Sequence, residues 1–173
     1  FPNFSVPMAE CHTGNRASRA LLKDLVRQHR FTEERSEGAL NYQYHPLFRE
    51  FLLEQARTRW PAAERAALSG KAAQILEEAG QSEHAWALYR DAGEWDSAVR
   101  LMLRVAPILA QRARLQTLER WLADVPPHLY QSEPWLSYWS GMCRLLSAPA
   151  EAMKDLERAY AGFDRRDDPS GLY

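Results

Sequence analysis

A mainly α-helical chain with one small β-hairpin near its start is what the sequence predicts, and three observations carry that expectation. Apolar residues recur at three- and four-residue spacing over long stretches, from Ala17 to Val26 and again from Leu47 to Ala56. The period switches to alternation in one place, Leu40-Asn41-Tyr42-Gln43-Tyr44. Beyond Pro61 the chain is rich in Ala, Leu, Glu and Lys and gives no further strand signal. The 173 residues, 46% apolar and 26% charged, are enough for one domain or two small ones and have a globular rather than a disordered composition.

The elements follow in order. Pro2, Pro7 and Thr13-Gly14-Asn15 bracket a short helix around Val6 to His12. Asn15 suits the N-cap of the next helix, which the apolar row Ala17, Leu21, Leu22, Leu25 and Val26 carries from Arg16 to His29. Phe31-Thr32-Glu33 reads as a short strand, Arg35-Ser36-Glu37-Gly38 as a polar loop, and Leu40 to Tyr44 as the returning strand. Pro46 is placed for the first position of a helix. Leu47, Phe48, Phe51, Leu52 and Ala56 then form one apolar stripe on a helix that stops at Pro61. Helices followed by a hairpin and another helix make a small winged-helix-like unit over residues 1–60.

Residues 61–173 read as helical hairpins. Ala63 to Ala79 is a helix closed by Gly80. The pattern AGxxxxAxxL then occurs twice in succession, as Ala79-Gly80 with Ala85 and Leu88, and as Ala92-Gly93 with Ala98 and Leu101. Each copy ends a helix at glycine and puts a small residue on the contact face of the next. Leu115 to Val125, Pro134 to Leu146 and Ala150 to Phe163 complete the set, joined by short loops that favour antiparallel neighbours. The expected architecture is an α-solenoid of the tetratricopeptide (TPR)-like kind with a degenerate repeat, and a charged tail from Asp164 to Ser170 that frays.

Several chemistries find no support. The formal net charge of -1 argues against DNA binding as the main role of the whole chain. Cys11 and Cys143 are far apart and no CxxC is present, so neither a disulfide framework nor a zinc site is expected, and a reducing, cytoplasmic setting is the default. Cys11 and His12 are neighbours on a helix and point apart, which makes a poor metal site. No glycine-rich phosphate loop, GxSxG or HExxH occurs, so no enzymatic role is expected. No apolar run approaches the ~20 residues that span a bilayer, and the prolines near the start deny it a signal peptide's apolar core. The chain begins at Phe1 without an initiator Met and ends abruptly, which suggests a piece of a longer protein.

Arg16, Arg19, Lys23, Arg27 and Arg30 lie at helical spacing on one side of the second helix. A solvated face is the expected role and phosphate contact the lesser one. Among six tryptophans, most are expected in helix-pair cores. Trp135, Tyr138 and Trp139 are the cluster best suited to a partner or effector face, although core packing is the more common fate of such a row.

The most specific string is YQYHPLFREFLLEQ, Tyr42 to Gln55, preceded by LLKDLVRQHRF, Leu21 to Phe31. It resembles the winged-helix segment of the MalT-like subfamily of LuxR-type bacterial activators, which belong to the STAND class of signal-transducing ATPases. GQSEHAWALYRDAGEWDSAVRLM (Gly80 to Met102) and LERWLADVP (Leu118 to Pro126) are similar, less specifically, to that family's helical arm. The resemblance implies a fragment of a transcription regulator whose N-terminal nucleotide-binding domain and C-terminal helix-turn-helix lie elsewhere. No cofactor is then held by the fragment itself, while ATP or ADP is bound in the parent. The implied partners are that nucleotide-binding domain and an effector or protein on the helical arm. DNA is reached only through a separate domain, and no membrane is involved.

The resemblance also implies that His45 is the histidine that reaches from the winged helix to the nucleotide phosphate, with Arg49 one turn later as a weaker assistant. Local chemistry permits this. His45 precedes Pro46, which biases it to extended backbone, and so stands at the start of a helix, where free N–H groups and the helix dipole favour an anion. A histidine that caps its own helix or packs beside Tyr44 is the competing reading, and a solvated arginine is the competing reading of Arg49. Two other functions stay open for the chain: a stand-alone helical-repeat interaction module, and a winged helix that binds DNA directly.

Overall fold

The computed structural model describes residues 3–28, 32–37 and 39–166, with the side chains of residues 33–40 outside that description. It divides into two compact units, Phe1–Glu94 and Trp95–Tyr173. The expected boundary at residue 60 falls inside the first unit, between two of its helices.

The first unit opens on a two-residue strand, β1 (Phe4–Ser5), and helix α1 (Val6–Thr13). Ser5 Oγ accepts a hydrogen bond from Met8 N at 3.4 Å and so caps α1. Helix α2 (Ser18–Arg27) starts later than its apolar period suggests. Asn15 serves the turn before it, its Oδ1 accepting from Ala17 N at 2.9 Å while its carbonyl accepts from Ser18 Oγ at 2.7 Å. The expected end of this helix at His29, together with Arg30 and Phe31, lies outside the described residues.

Strands β2 (Thr32–Glu37) and β3 (Ala39–Tyr44) form the hairpin. The register pairs Thr32 with Tyr44 and runs to Glu37 opposite Ala39. Pairing therefore continues through Arg35, Ser36 and Glu37, which the sequence places in a loop. Gly38 lies outside the described residues. β1 adds a third strand on the other side of β3, Phe4 opposite Tyr42 and Ser5 opposite Asn41, so the sheet has the order β1-β3-β2. Phe4 (5% exposed) and Tyr42 (1%) are buried across that pair, their rings 6.2 Å apart, and Val6, Met8 and Leu22 join them in the core.

Helix α3 (Pro46–Arg59) ends where Pro61 cannot continue it. Arg65 Nη1 reaches back to the carbonyls of Arg57 (2.9 Å) and Trp60 (3.0 Å), serving helix-end acceptors that lack partners within α3. Helix α4 (Ala62–Glu78) and helix α5 (Ser82–Ala92) form a hairpin. Ala73, Leu76, Ala85 and Trp86 are almost wholly buried there, and Tyr89 Oη donates to Glu77 Oε2 at 2.9 Å across it. Gly80 and Gly93, the two repeated glycines, both take φ of 74°, the left-handed conformation a helix end needs and side chains resist. Lys71 Nζ donates to the His12 carbonyl at 3.0 Å and ties α4 to α1.

The second unit holds α6 (Trp95–Gln111), α7 (Leu115–Asp124), a one-turn α8 (Leu129–Ser132), α9 (Pro134–Arg144) and α10 (Pro149–Arg166). Leu101, Met102, Leu118, Leu136 and Phe163 form its core. α9 and α10 are antiparallel and close. A methyl group added at Gly141 would stand 2.7 Å from Leu156 Cγ, and one added at Gly162 would stand 2.6 Å from Pro134 Cγ. The small residues thus sit at both ends of the helix pair, where larger ones would force it apart. α10 carries Asp164, Arg165 and Arg166 in its last turn, so part of the expected frayed tail is helix; residues 167–170 lie outside the described residues.

Among the described residues no helix is long and apolar enough to cross a membrane, and no cluster of side chains is arranged to hold a metal ion.

Candidate functional site

β3 delivers His45 to the start of α3. The backbone of His45 is extended (φ -54°, ψ 136°), as a residue before proline favours, and its carbonyl accepts the first turn's bond from Arg49 N at 2.9 Å. The imidazole is exposed and makes no capping hydrogen bond to its own helix. Arg49 is half-buried one turn along the same side. Tyr44 turns its ring instead to Phe4 (5.2 Å) and Phe48 (5.7 Å), and burial raises its phenol above the ordinary pKa of 10.0. An exposed imidazole and a guanidinium at a helix start fit a phosphate group arriving from outside the unit.

Another side of α3, the one carrying Leu47 and Phe51, is apolar and faces solvent. Leu47 is 70% exposed, Phe51 55% and Trp60 48%, and no residue of the helix is buried. The sequence places Leu47, Phe48, Phe51, Leu52 and Ala56 on one stripe; α3 carries that stripe, with Phe48 and Ala56 half-buried and Leu47, Phe51 and Leu52 left exposed.

The basic residues Arg16, Arg19, Lys23 and Arg27 are all exposed, and Arg27 pairs with Asp24 at 2.8 Å. Arg30 lies outside the described residues.

In the second unit, Trp135, Tyr138 and Trp139 do come together on α9. Tyr138 meets both tryptophans edge-to-face at 5.3 Å, and Trp135 packs at 4.9 Å on the buried Phe163. All three are half-buried, so the row is partly core and partly surface.

The second unit also holds a cleft of about 410 Å³ that the sequence does not anticipate, bounded by α7, α8, α9 and α10. Asp155, buried on α10, organises its polar wall. Ser140 Oγ donates to Oδ2 at 2.7 Å, Arg144 Nη1 to Oδ2 at 3.1 Å, and Arg158 Nη1 to Oδ1 at 3.1 Å. Tyr130 Oη donates to the Leu122 carbonyl at 2.8 Å, and burial raises the Tyr130 phenol as well. Cys143 also lines the cleft. Burial first, and the Glu119 charge second, push its thiol up to about 11, so at neutral pH it is protonated and a poor nucleophile. One signal for this cluster was present in the sequence. Asp155 falls in the buried row Ala152, Asp155, Ala159, Phe163 of α10, where a carboxylate demands partners.

No curated protein and no solved structure matches the chain. A family model does, and it covers the sheet, His45 and all of α3: residues 1–64 match the MalT winged helix domain, to which this first part of the chain is therefore similar.

Proposed function

We propose that the chain is a regulatory segment of a MalT-like, LuxR-type bacterial transcription regulator of the STAND class, acting in the cytoplasm and coupling nucleotide state to effector or partner binding. The observation that carries this reading is the match of residues 1–64 to the MalT winged helix domain, taken with the apolar side of α3 that leaves Leu47 and Phe51 exposed. That side is the surface on which a nucleotide-binding domain, encoded outside these residues, docks. His45 then offers an N–H donor to the phosphate of ATP or ADP, and Arg49 adds charge from the next turn. The nucleotide, when bound by that domain, supplies the anionic group whose presence or absence is sensed.

The helices from α4 onward act as the TPR-like arm. An effector or protein bound there shifts the balance between closed and open arrangements, to the extent that it prefers one of them. The segment performs no chemistry of its own, and DNA is met through a separate domain. The test is His45→Ala in the full-length parent. We expect faster loss of bound ADP and altered basal transcription. Unchanged nucleotide retention together with unchanged basal activity would remove His45 from the mechanism.

A further inference from the structure

We infer that the cleft of the second unit is a binding site for a small molecule that carries one phosphate or carboxylate group on a compact, largely apolar body. The proposal deepens the reading of the helical arm as the part that takes an effector, and rests on it.

Asp155 is the centre of the cleft's polar wall. Its carboxylate is buried, yet it is engaged by three donors from two helices: Ser140, Arg144 and Arg158. One negative charge thus holds two guanidinium groups side by side, and with Glu119, which also lines the cleft, the four charges balance. Each guanidinium turns a single nitrogen, Nη1, to the carboxylate, out of the five N–H groups it carries. The two side chains are 45% and 55% exposed, so the remaining donors are open to the cleft and to solvent. A planar fork of donors is the geometry that takes a carboxylate or phosphate in paired hydrogen bonds. The Asp155 clamp has already ordered both side chains, so a ligand loses less freedom in engaging them.

The rest of the cleft decides the body of the ligand. Leu122, Val125 and Pro127 add apolar lining, and about 410 Å³ lies within the range of small-molecule sites, roughly 300 to 1,000 Å³. Glu119 also lines it and is exposed. It accepts a hydrogen bond from a hydroxyl or amine on the body, and it disfavours a second anionic group. A purely structural ion pair between α9 and α10 needs Asp155 and one arginine; it needs neither a second guanidinium nor an apolar-walled space beside them.

The test uses the 173-residue chain, labelled with ¹⁵N and titrated with phenyl phosphate, phenylacetate and phenol. We expect saturable amide shifts at Glu119, Tyr130, Cys143 and Arg158 with at least one of the two anions, and at least tenfold weaker binding of phenol. The stronger of the two anions identifies the group the site prefers. Arg144→Gln with Arg158→Gln weakens that binding at least tenfold. Ala123→Phe fills the cleft without touching the Asp155 cluster; it abolishes the binding and decides the matter if the double variant does not fold. The proposal is overturned if neither anion shifts these amides, if phenol binds as well as the anions, or if a folded double variant or Ala123→Phe binds as the parent chain does. The measurement involves no adenine nucleotide. A failure here therefore leaves the His45 reading standing, and a failure of His45→Ala leaves the cleft standing.

Discussion

His12 shows how a single residue ties the first unit to pH. It lies near the end of α1, half-buried, with the Lys71 ammonium 3.0 Å from its carbonyl. Burial, and then the Lys71 charge, lower its pKa below the ordinary 6.5. The unfolded chain therefore binds a proton more readily than the folded one below pH 6.5, and folded stability falls as the pH drops from there toward the lowered value. Urea unfolding of the chain at about pH 7 and about pH 5 should show a loss on the acid side that His12→Gln reduces. An unchanged pH profile in that variant would place the acid sensitivity elsewhere. At this scale the sequence was legible where one residue's local chemistry decides the outcome. His45-Pro46 is at a helix start, and Gly80 and Gly93 are at helix ends, because backbone preference alone puts them there. Of the Asp155 cluster only Asp155 itself was legible, as a carboxylate in an apolar row of α10. Its partners Ser140, Arg144 and Arg158 carry no signal in sequence, and only the apposition of two helices makes them a group.

Among the elements, α3 separates two properties that a periodic sequence is usually taken to give together. The spacing of Leu47, Phe48, Phe51 and Leu52 makes a helix, because those residues line one side of it. It does not say what covers that side, and within the first unit Leu47 and Phe51 remain largely exposed. Phe51→Ser should therefore cost the chain less than about 0.5 kcal/mol of unfolding free energy. Leu76→Ala, at a fully buried position of α4, should cost about 2–5 kcal/mol. Denaturant midpoints of the two variants compare them directly; equal losses would mean that the side of α3 is covered in the chain itself. The hairpin was legible from the alternation in β3, but its length was not. Arg35 to Glu37 have loop-forming character, and pairing with β3 holds them extended nonetheless. β1 has two residues, too few to show any period, and owes its strand character wholly to its partner.

For the whole molecule the deciding quantity is charge. Twenty-two Lys and Arg against twenty-three Asp and Glu leave a formal net charge of -1. The exposed basic residues of α2 are interrupted by Asp24, which already pairs with Arg27. A chain so balanced releases few counterions from a duplex. Fluorescence anisotropy with labelled duplex DNA should show no binding at ~100 mM salt. Tight binding whose logarithm falls steeply with the logarithm of salt concentration would instead make the winged helix a DNA reader. The order of the elements was legible at this scale: among the described residues the strands are confined to the first third of the chain and helices follow them.

The strand β1 has one more consequence, for the route by which the chain folds. Phe4 is made early and can do nothing until Tyr42 exists to receive it, and α1 must likewise wait for Lys71. The first unit therefore closes long loops, losing chain entropy before any contact compensates for it. The second unit's tightest pair, α9 with α10, joins neighbours in sequence. Within one chain, a slowly closing sheet precedes a helical hairpin that needs only its own few turns to form.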